Sequence, residues 1–208
     1  MKILHINGTS SGGAYNVAHN LHKYLLERNI DSYIFIPSNK NLKNQFIFNS
    51  NSLSQKIKII FSKILIKLLP RSNQTSTFGI FSSKQLKKTV KIIKPNIIHL
   101  HWVGNEILSI NQIIRFNIPL VVTLHDMWFF LPYSHYSVGI FEKKNYLSNV
   151  LSKYLIKQKK KLDLGNSKFV ATSEWMQKNI INSKYYDRNK IKKIPIGIDF
   201  KIWFPENK

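Results

Sequence analysis

The chain has 208 residues, enough to bury one large core, and it contains no cysteine. Disulfides, zinc thiolate sites, iron–sulfur clusters and thiol catalysis are therefore excluded. The formal net charge of +22 favours anionic partners, although AT-rich coding yields the same excess of Lys, Asn and Ile.

The distribution of the charged and apolar residues limits which anionic partners the sequence predicts. The lysines are scattered and no arginine-aromatic ladder appears, so the sequence does not predict specific nucleic-acid binding. The short apolar opening is broken by His5, and no stretch approaches the roughly 18 apolar residues of a membrane span. We expect a cytoplasmic protein, either soluble or peripheral at the inner face of the cell membrane.

Apolar runs and turn residues alternate along the chain and predict one α/β domain with no long linker. In chain order the pattern predicts strand 2–7, helix 14–28, strand 31–36, helices 54–69 and 82–93, strand 96–101, helix 106–116, strands 120–124 and 168–172, helix 174–181 and strand 191–194. Segments 38–54 and 71–77 are predicted loops. The basic run 158–161 is predicted to be the solvated end of a helix that starts near Tyr146. Alternating strands and helices predict an α/β fold, a Rossmann-like parallel sheet with helices on both faces.

A Gly/Ser-rich turn, GTSSGG at residues 8–13, joins the first strand to the first helix. Its glycines would let the backbone approach a ligand, and the helix that follows would favour phosphate or another anion. The turn matches neither the GxGxxG fingerprint nor a Walker loop, and a tight structural turn without a ligand also explains it.

Two buried strands end in histidine, with sequences PNIIHLHW and PLVVTLHDMW. Ligands bind at the carboxyl ends of parallel strands, so His101, Trp102 and His125 are candidate site residues. His99 and His101 lie on the same face of one strand, and we expect one of them to be a buried, hydrogen-bonded core residue while the other meets the site. We assign the core position to His99. Asp126 either orients a neighbouring group or caps the next helix. No HExxH or carboxylate cluster completes a metal site.

The helix beginning near Lys56 is amphipathic, with Ile57, Phe61, Ile64 and Leu68 on one stripe and lysines opposite. Such a stripe is usually packed in a core. A basic amphipathic helix can also lie on an anionic membrane, which leaves two interpretations open.

The order of these segments, together with the late stretches FVATSEWMQKNI and IPIGIDFKIWFP, resembles the amino-terminal half of a family 4 glycosyltransferase with the GT-B fold. Within the family, the chain most resembles enzymes of bacterial exopolysaccharide and lipopolysaccharide assembly, of the colanic-acid type. The resemblance covers nearly the whole chain. It departs from the family at Ile196, where asparagine is common, and at LPYSHY, which stands where relatives carry a Gly-Gly-Cys-His-Tyr stretch.

The resemblance implies retaining transfer of a sugar from a nucleotide-sugar to a saccharide or lipid-linked acceptor, with no metal or other cofactor. It implies that His125 contacts the donor sugar beside Asp126, that Gly12 and Gly13, with Ser11, approach the donor or acceptor, and that Pro195, Gly197 and Asp199 form the hinge to a second domain. By the resemblance, residues 1–194 would be the Rossmann-like N-terminal domain and residues 195–208 the hinge and the start of the absent second domain. That second domain normally holds the nucleotide, and a separate chain that carries it is a possible partner. We therefore expect the 208-residue polypeptide to have little transferase activity by itself.

Two other functions compete with sugar transfer. A non-catalytic basic protein that binds anionic membrane or polyanion would use the same charge. A nicotinamide-dependent enzyme is disfavoured, because Pro37 follows the second strand where an acidic ribose ligand would stand.

Overall fold

Seven parallel strands form one sheet in the computed structural model, which describes residues 1–37, 47–49, 53–67, 69, 76–136 and 146–198. The strands are β1 (Lys2–Ile6), β2 (Asp31–Ile36), β3 (Ile47–Asn49), β4 (Ile97–Leu100), β5 (Leu120–Leu124), β6 (Ser167–Ala171) and β7 (Ile191–Lys193). Their order across the sheet is β3-β2-β1-β4-β5-β6-β7. The order reverses direction between β1 and β4, which is where open α/β sheets bind ligands.

Six α-helices connect these strands within the described ranges: α1 (Gly13–Glu27), α2 (Leu53–Lys67), α3 (Lys84–Ile93), α4 (Ile110–Phe116), α5 (Tyr146–Lys160) and α6 (Glu174–Ser183). Three of them begin at a serine whose side chain accepts a backbone N–H of the first turn, namely Ser83, Ser109 and Ser173. These caps satisfy donors that a helix start leaves open, which is why the helices begin there.

Helices cover both faces of the sheet. On one face α1 packs through Ala18 against Ile34 and Ile36 of β2. On the opposite face, Leu86 of α3 joins a large apolar cluster with Leu4 of β1 and other strand residues. Strand residues point alternately to the two faces, so each central strand contributes side chains to both layers. The predicted Rossmann-like architecture is thereby confirmed.

The structure corrects several sequence expectations. β3 lies inside the predicted loop 38–54, because three residues are too short for a periodic signal. The helix predicted at 106–116 begins only at Ile110, since Asn105 and Glu106 have φ angles of 59° and 51°, outside the helical region. The basic run 158–161 is not wholly solvated, because Lys159 is buried.

The apolar stripe of α2 is not packed in the core as such stripes usually are. Its large apolar side chains are exposed, by 58% at Ile57 and 54% at Ile64, whereas Gln55 and Ser62 face the protein. The Gln55 amide donates to the carbonyls of Asn105 and Glu106, at 2.6 and 2.8 Å. The polar contacts of Gln55, together with Leu65 and Ile66 packed against a small apolar cluster, dock this helix and leave the stripe with Ile57 and Ile64 exposed.

Candidate functional site

The turn after β1 and the turn after β4 are joined by hydrogen bonds at the point where the strand order reverses. The backbone N–H of Gly8 donates to the carbonyl of Trp102, and the N–H of Trp102 donates to Oδ1 of Asn7 at 3.0 Å. The amide of Asn105 donates to the carbonyl of Gly8 at 2.9 Å. A Cβ on Gly8 would lie 2.5 Å from the carbonyl oxygen of Gly104, so glycine is required here. These contacts form a closely packed floor at the carboxyl edge of the sheet.

The start of α1 lies open beside this floor. Ser11, Gly12 and Gly13 are exposed, and no atom lies within 4 Å of a Cβ built on either glycine. Gly12 has a φ of 87°, which other residues rarely adopt. No side chain caps this helix, in contrast to the serine caps described above. The amides of its first turn are therefore free of side-chain acceptors and suited to an anion.

Histidines line the sheet face beneath α1. His5 of β1 and His99 of β4 are register partners, and His22 of α1 packs over His5 with ring centroids 6.4 Å apart. Nε2 of His99 lies 2.8 Å from the hydroxyl of Thr123 on β5. His99 is thus a hydrogen-bonded core residue, as the sequence favoured.

Three imidazoles form a chain toward the carboxyl end of β5. Nδ1 of His5 lies 3.2 Å from Nε2 of His101, whose Nδ1 lies 3.3 Å from Nε2 of His125. His5 and His101 are buried, whereas His125 is half-buried. His101 therefore connects to the candidate site through His125.

Burial keeps these imidazoles neutral. It lowers the pKa of His5 and of His101 well below the usual histidine value, and it lowers the pKa of His99 to about 4. Burial also lowers the pKa of His125, against an opposing effect from the carboxylate of Asp126. At neutral pH each ring thus carries one N–H and one lone pair.

Among the described residues, His5, His99 and His101 are the group best placed to hold a metal ion. One ring nitrogen from each lies within 4.8 Å of the others. In this arrangement His5 and His101 face each other and His99 faces Thr123. The cluster has the right donor type for a metal but is arranged as a hydrogen-bonded network.

Asp126 is buried and pairs with His135, which lies in the stretch LPYSHY and was not among the predicted site residues. Its Oδ2 lies against Nδ1 of His135, and its Oδ1 accepts the backbone N–H of Trp128 at 2.9 Å. Nε2 of His135 lies 3.1 Å from the hydroxyl of Thr77. Asp126 thus both caps the turn at Trp128 and fixes His135. The indole Nε1 of Trp102 lies 3.1 Å from Nδ1 of His135, which links the β4 end to the same pair.

A buried lysine and a buried glutamate lie behind this pair. Nζ of Lys159 donates to the carbonyls of Trp128, Leu131 and Pro132 and lies 3.4 Å from the centroid of the Trp128 ring. Burial lowers the pKa of Lys159, while Asp126 and Glu106 act in the opposite direction. Both carboxylate oxygens of Glu106 accept backbone amides, from residues 78 and 79. Long-range contacts create this network, so no local sequence signal could have revealed it.

The predicted hinge is described only in part. Pro195 and Gly197 are exposed and follow β7, and Asp199 lies outside the described residues. Their hinge role stays a prediction, as does the division of the chain at residue 194.

The chain matches the family model described as Glycosyltransferase Family 4 over residues 11–201. Comparison with curated protein sequences finds no match.

Structure comparison finds the same fold in crystal structures of Anabaena HepE. The complex with UDP has a TM-score of 0.56 and the complex with UDP-glucose has one of 0.57, each at 16% sequence identity. The alignments cover 97% of this chain and 46% and 45% of the HepE chains. The chain therefore spans less than half the length of these proteins, as expected for one half of a GT-B fold.

Proposed function

The chain belongs to glycosyltransferase family 4, and on that premise we propose that it forms the acceptor-side wall of a cleft for sugar transfer from a nucleotide-sugar. The acceptor is a saccharide or a lipid-linked saccharide of cell-surface polysaccharide synthesis. HepE has been crystallised with UDP-glucose, which supports a nucleoside diphosphate sugar as the donor class here.

The observation that carries this proposal is the position of His125. It lies at the carboxyl end of β5 as a neutral, half-buried imidazole beside a buried carboxylate. In this position the ring can form a hydrogen bond with a sugar oxygen near the reacting centre. The exposed start of α1 at Gly12 and Gly13 supplies backbone amides for a phosphate or an acceptor oxygen. Asp126 stabilises this edge of the sheet by holding His135 and the turn at Trp128.

A cleft enzyme needs two walls to exclude water and to arrange charge around the anomeric carbon. We propose that the second wall is a nucleotide-binding domain joined through the segment around Pro195 and Gly197, or carried by another chain. The 208-residue polypeptide should then bind sugar weakly and transfer it poorly. Detectable sugar transfer from UDP-glucose by this polypeptide alone would contradict the two-wall proposal.

An NMR titration of the 208-residue polypeptide with UDP-glucose and with glucose tests the site. We expect shifts at residues 8–13, 101–104 and 125. His125→Ala should weaken binding about tenfold, the effect of one hydrogen bond of about 1.4 kcal/mol. His19→Ala, a partly exposed histidine on α1, is the matched control and should leave the affinity unchanged. Equal affinity of the wild type and the His125 variant would exclude His125 from the site.

The exposed face of α2 supports a further part of the proposal, docking on an anionic membrane that presents the acceptor. Apolar side chains of this face are exposed to solvent, with exposed fractions of 75% at Leu53 and 58% at Ile60. Lys56, Lys63 and Lys67 are exposed beside them. Apolar residues flanked by lysines suit the interface of an anionic bilayer. Within the described ranges no helix has both the length and the apolar character needed to cross a membrane.

A cavity of about 420 Å³ beneath α2 suits an amphiphilic acceptor. Ile59 and Ile66 give the cavity an apolar side, and Lys63 and Lys67 line it as well. Glu106 also lines the cavity, but backbone amides already occupy both of its carboxylate oxygens. An acyl or prenyl chain fits the apolar side, and a phosphate fits the lysines. This arrangement supports a lipid-linked acceptor at the inner face of the cell membrane.

Vesicle co-sedimentation with variants of α2 tests the membrane proposal. Ile57→Ser should reduce binding to anionic vesicles about tenfold, because a buried isoleucine contributes about 1.5–3 kcal/mol. Ile92→Ser on α3 is the matched control, since Ile92 is 59% exposed and Ile57 is 58% exposed. An equal effect of the two substitutions would contradict docking through α2.

A further inference from the structure

We infer that the chain of His5, His101 and His125 holds His125 as its Nδ1–H tautomer, so that it presents a hydrogen-bond donor to the cleft. The inference deepens the proposed function and relies on it only for the class of ligand that His125 meets. The tautomer itself depends on three rings that the structure describes.

His101 makes the chain directional. Its Nε2 lies 3.2 Å from Nδ1 of His5 and its Nδ1 lies 3.3 Å from Nε2 of His125. A hydrogen bond between two ring nitrogens contains one proton, given by one ring and accepted by the other. His101 is only 1% exposed, which keeps the ring neutral with a single N–H. It therefore donates one hydrogen bond and accepts the other, and the tautomer of His5 determines the tautomer of His125.

The buried end of the chain selects the direction. If His5 donates from Nδ1, then His101 donates from Nδ1 and the proton of His125 is on its own Nδ1. In the reverse direction the proton of His5 would be on Nε2, which has no hydrogen-bond partner among the described residues. His5 has no exposed surface, so that N–H would be orphaned in the core. Orphaned buried N–H groups are rarer than under-satisfied acceptors, which favours the first direction.

The inferred tautomer limits what His125 can do. Its Nε2 lone pair accepts the proton of His101, and its Nδ1 carries an N–H. A ring in this state cannot take a proton from an acceptor hydroxyl as a general base. It can donate to a sugar hydroxyl oxygen, a ring oxygen or a phosphate oxygen. His5 and His101 are positioning residues, because they fix the proton on His125 without contact with the ligand.

Long-range ¹H–¹⁵N correlation NMR of the polypeptide with ¹⁵N-labelled histidine measures the tautomer directly at neutral pH. We expect a protonated Nδ1 and an unprotonated Nε2 at His125. A protonated Nε2, or a mixture of the two tautomers, would overturn the inference. The measurement needs no substrate, so its failure would leave sugar binding by the site unaffected. Conversely, a Nδ1–H tautomer without sugar binding would count against the proposed function alone.

A pair of buried substitutions separates the chain from general packing. His5→Leu removes the first donor and should cause loss of the single Nδ1–H signal at His125. His99→Leu removes a neighbouring imidazole bonded to Thr123 instead, and should leave that signal in place. Circular dichroism checks that each variant folds. If His5→Leu does not fold, the tautomer of His125 measured in the wild type alone tests the inference. An unchanged His125 signal in folded His5→Leu would contradict the directional chain.

Discussion

Gly8 and Gly13 lie at the two ends of the same turn and have opposite surroundings. A Cβ on Gly8 would meet the backbone of Gly104 at 2.5 Å, whereas a Cβ on Gly13 would meet no atom within 4 Å. The first glycine is required by packing. The second leaves room for a ligand.

Alanine substitutions separate these two roles. Gly8→Ala should destabilise the fold by about 1–3 kcal/mol, the range for overpacking. Gly13→Ala should keep or slightly raise stability, by up to about 1 kcal/mol, because it lowers the entropy of the unfolded chain. It should also weaken UDP-glucose binding, because the methyl group occupies the open space. Urea unfolding and NMR titration of both variants provide the measurements. Undiminished binding by Gly13→Ala would contradict a ligand at this turn.

Lys159 is a second residue whose role depends on its surroundings. It lies in a basic run, but its ammonium donates to three backbone carbonyls in the core. Lys159→Ala should lower the free energy of unfolding by about 3 kcal/mol, because it leaves buried acceptors unpaired and opens a cavity. Lys157→Ala, at an exposed position of the same helix, should change it by less than about 0.5 kcal/mol. Thermal or urea unfolding compares them, and similar losses would contradict the buried role.

At the scale of elements, β1 and β4 place His5 and His99 on the sheet face beneath α1, and His125 follows the end of β5. A folded-state pKa of about 4 for His99 lies below the unfolded value of about 6.5. The unfolded chain therefore binds the proton first as the pH falls. The contribution of the neutral His99 ring to the free energy of unfolding is therefore complete above about pH 6.5 and is lost as the pH falls to about 4.

His99→Leu tests this linkage. Between neutral pH and about pH 4, protonation of His99 should lower the free energy of unfolding of the wild type by about 3 kcal/mol. In the variant this part of the acid loss should be absent. Thr123→Val is the matched control, since it removes the hydrogen-bond partner of His99 and keeps the titrating ring. Urea unfolding at the two pH values gives the comparison. If the acid loss is the same in His99→Leu and in the wild type, this histidine does not cause it.

The net charge of the whole molecule predicts how its binding to anionic vesicles depends on salt. A net charge of +22 attracts anionic surfaces over a range set by the Debye length, about 10 Å at 0.1 M salt and about 3 Å at 1 M. Binding to anionic vesicles should therefore weaken steeply across this range. Zwitterionic vesicles should bind weakly at every salt concentration. Absence of binding to anionic vesicles at low salt would assign the lysine excess to codon composition.

The sequence by itself determined the α/β class, the parallel sheet and the strand ends that carry His101 and His125. These features depend on local hydrophobic patterns and on the rule that parallel strands share a carboxyl edge. The same patterns located α2 but left open whether its apolar stripe packs in the core or is exposed, because periodicity reveals such a stripe without showing what covers it. They also missed β3, which is too short to show a period.

Only the tertiary structure decided which polar groups meet. His135 pairs with Asp126, and Lys159 reaches the carbonyls near Trp128, across loops with no shared local pattern. The directional chain from His5 to His125 needs strands that are distant in sequence and adjacent in the sheet. Hydrogen bonds depend on distance and direction in space, and residue spacing along the chain does not specify either. The sequence therefore predicted the edge of the candidate site, and the packing of the sheet determined the partners and burial of its histidines.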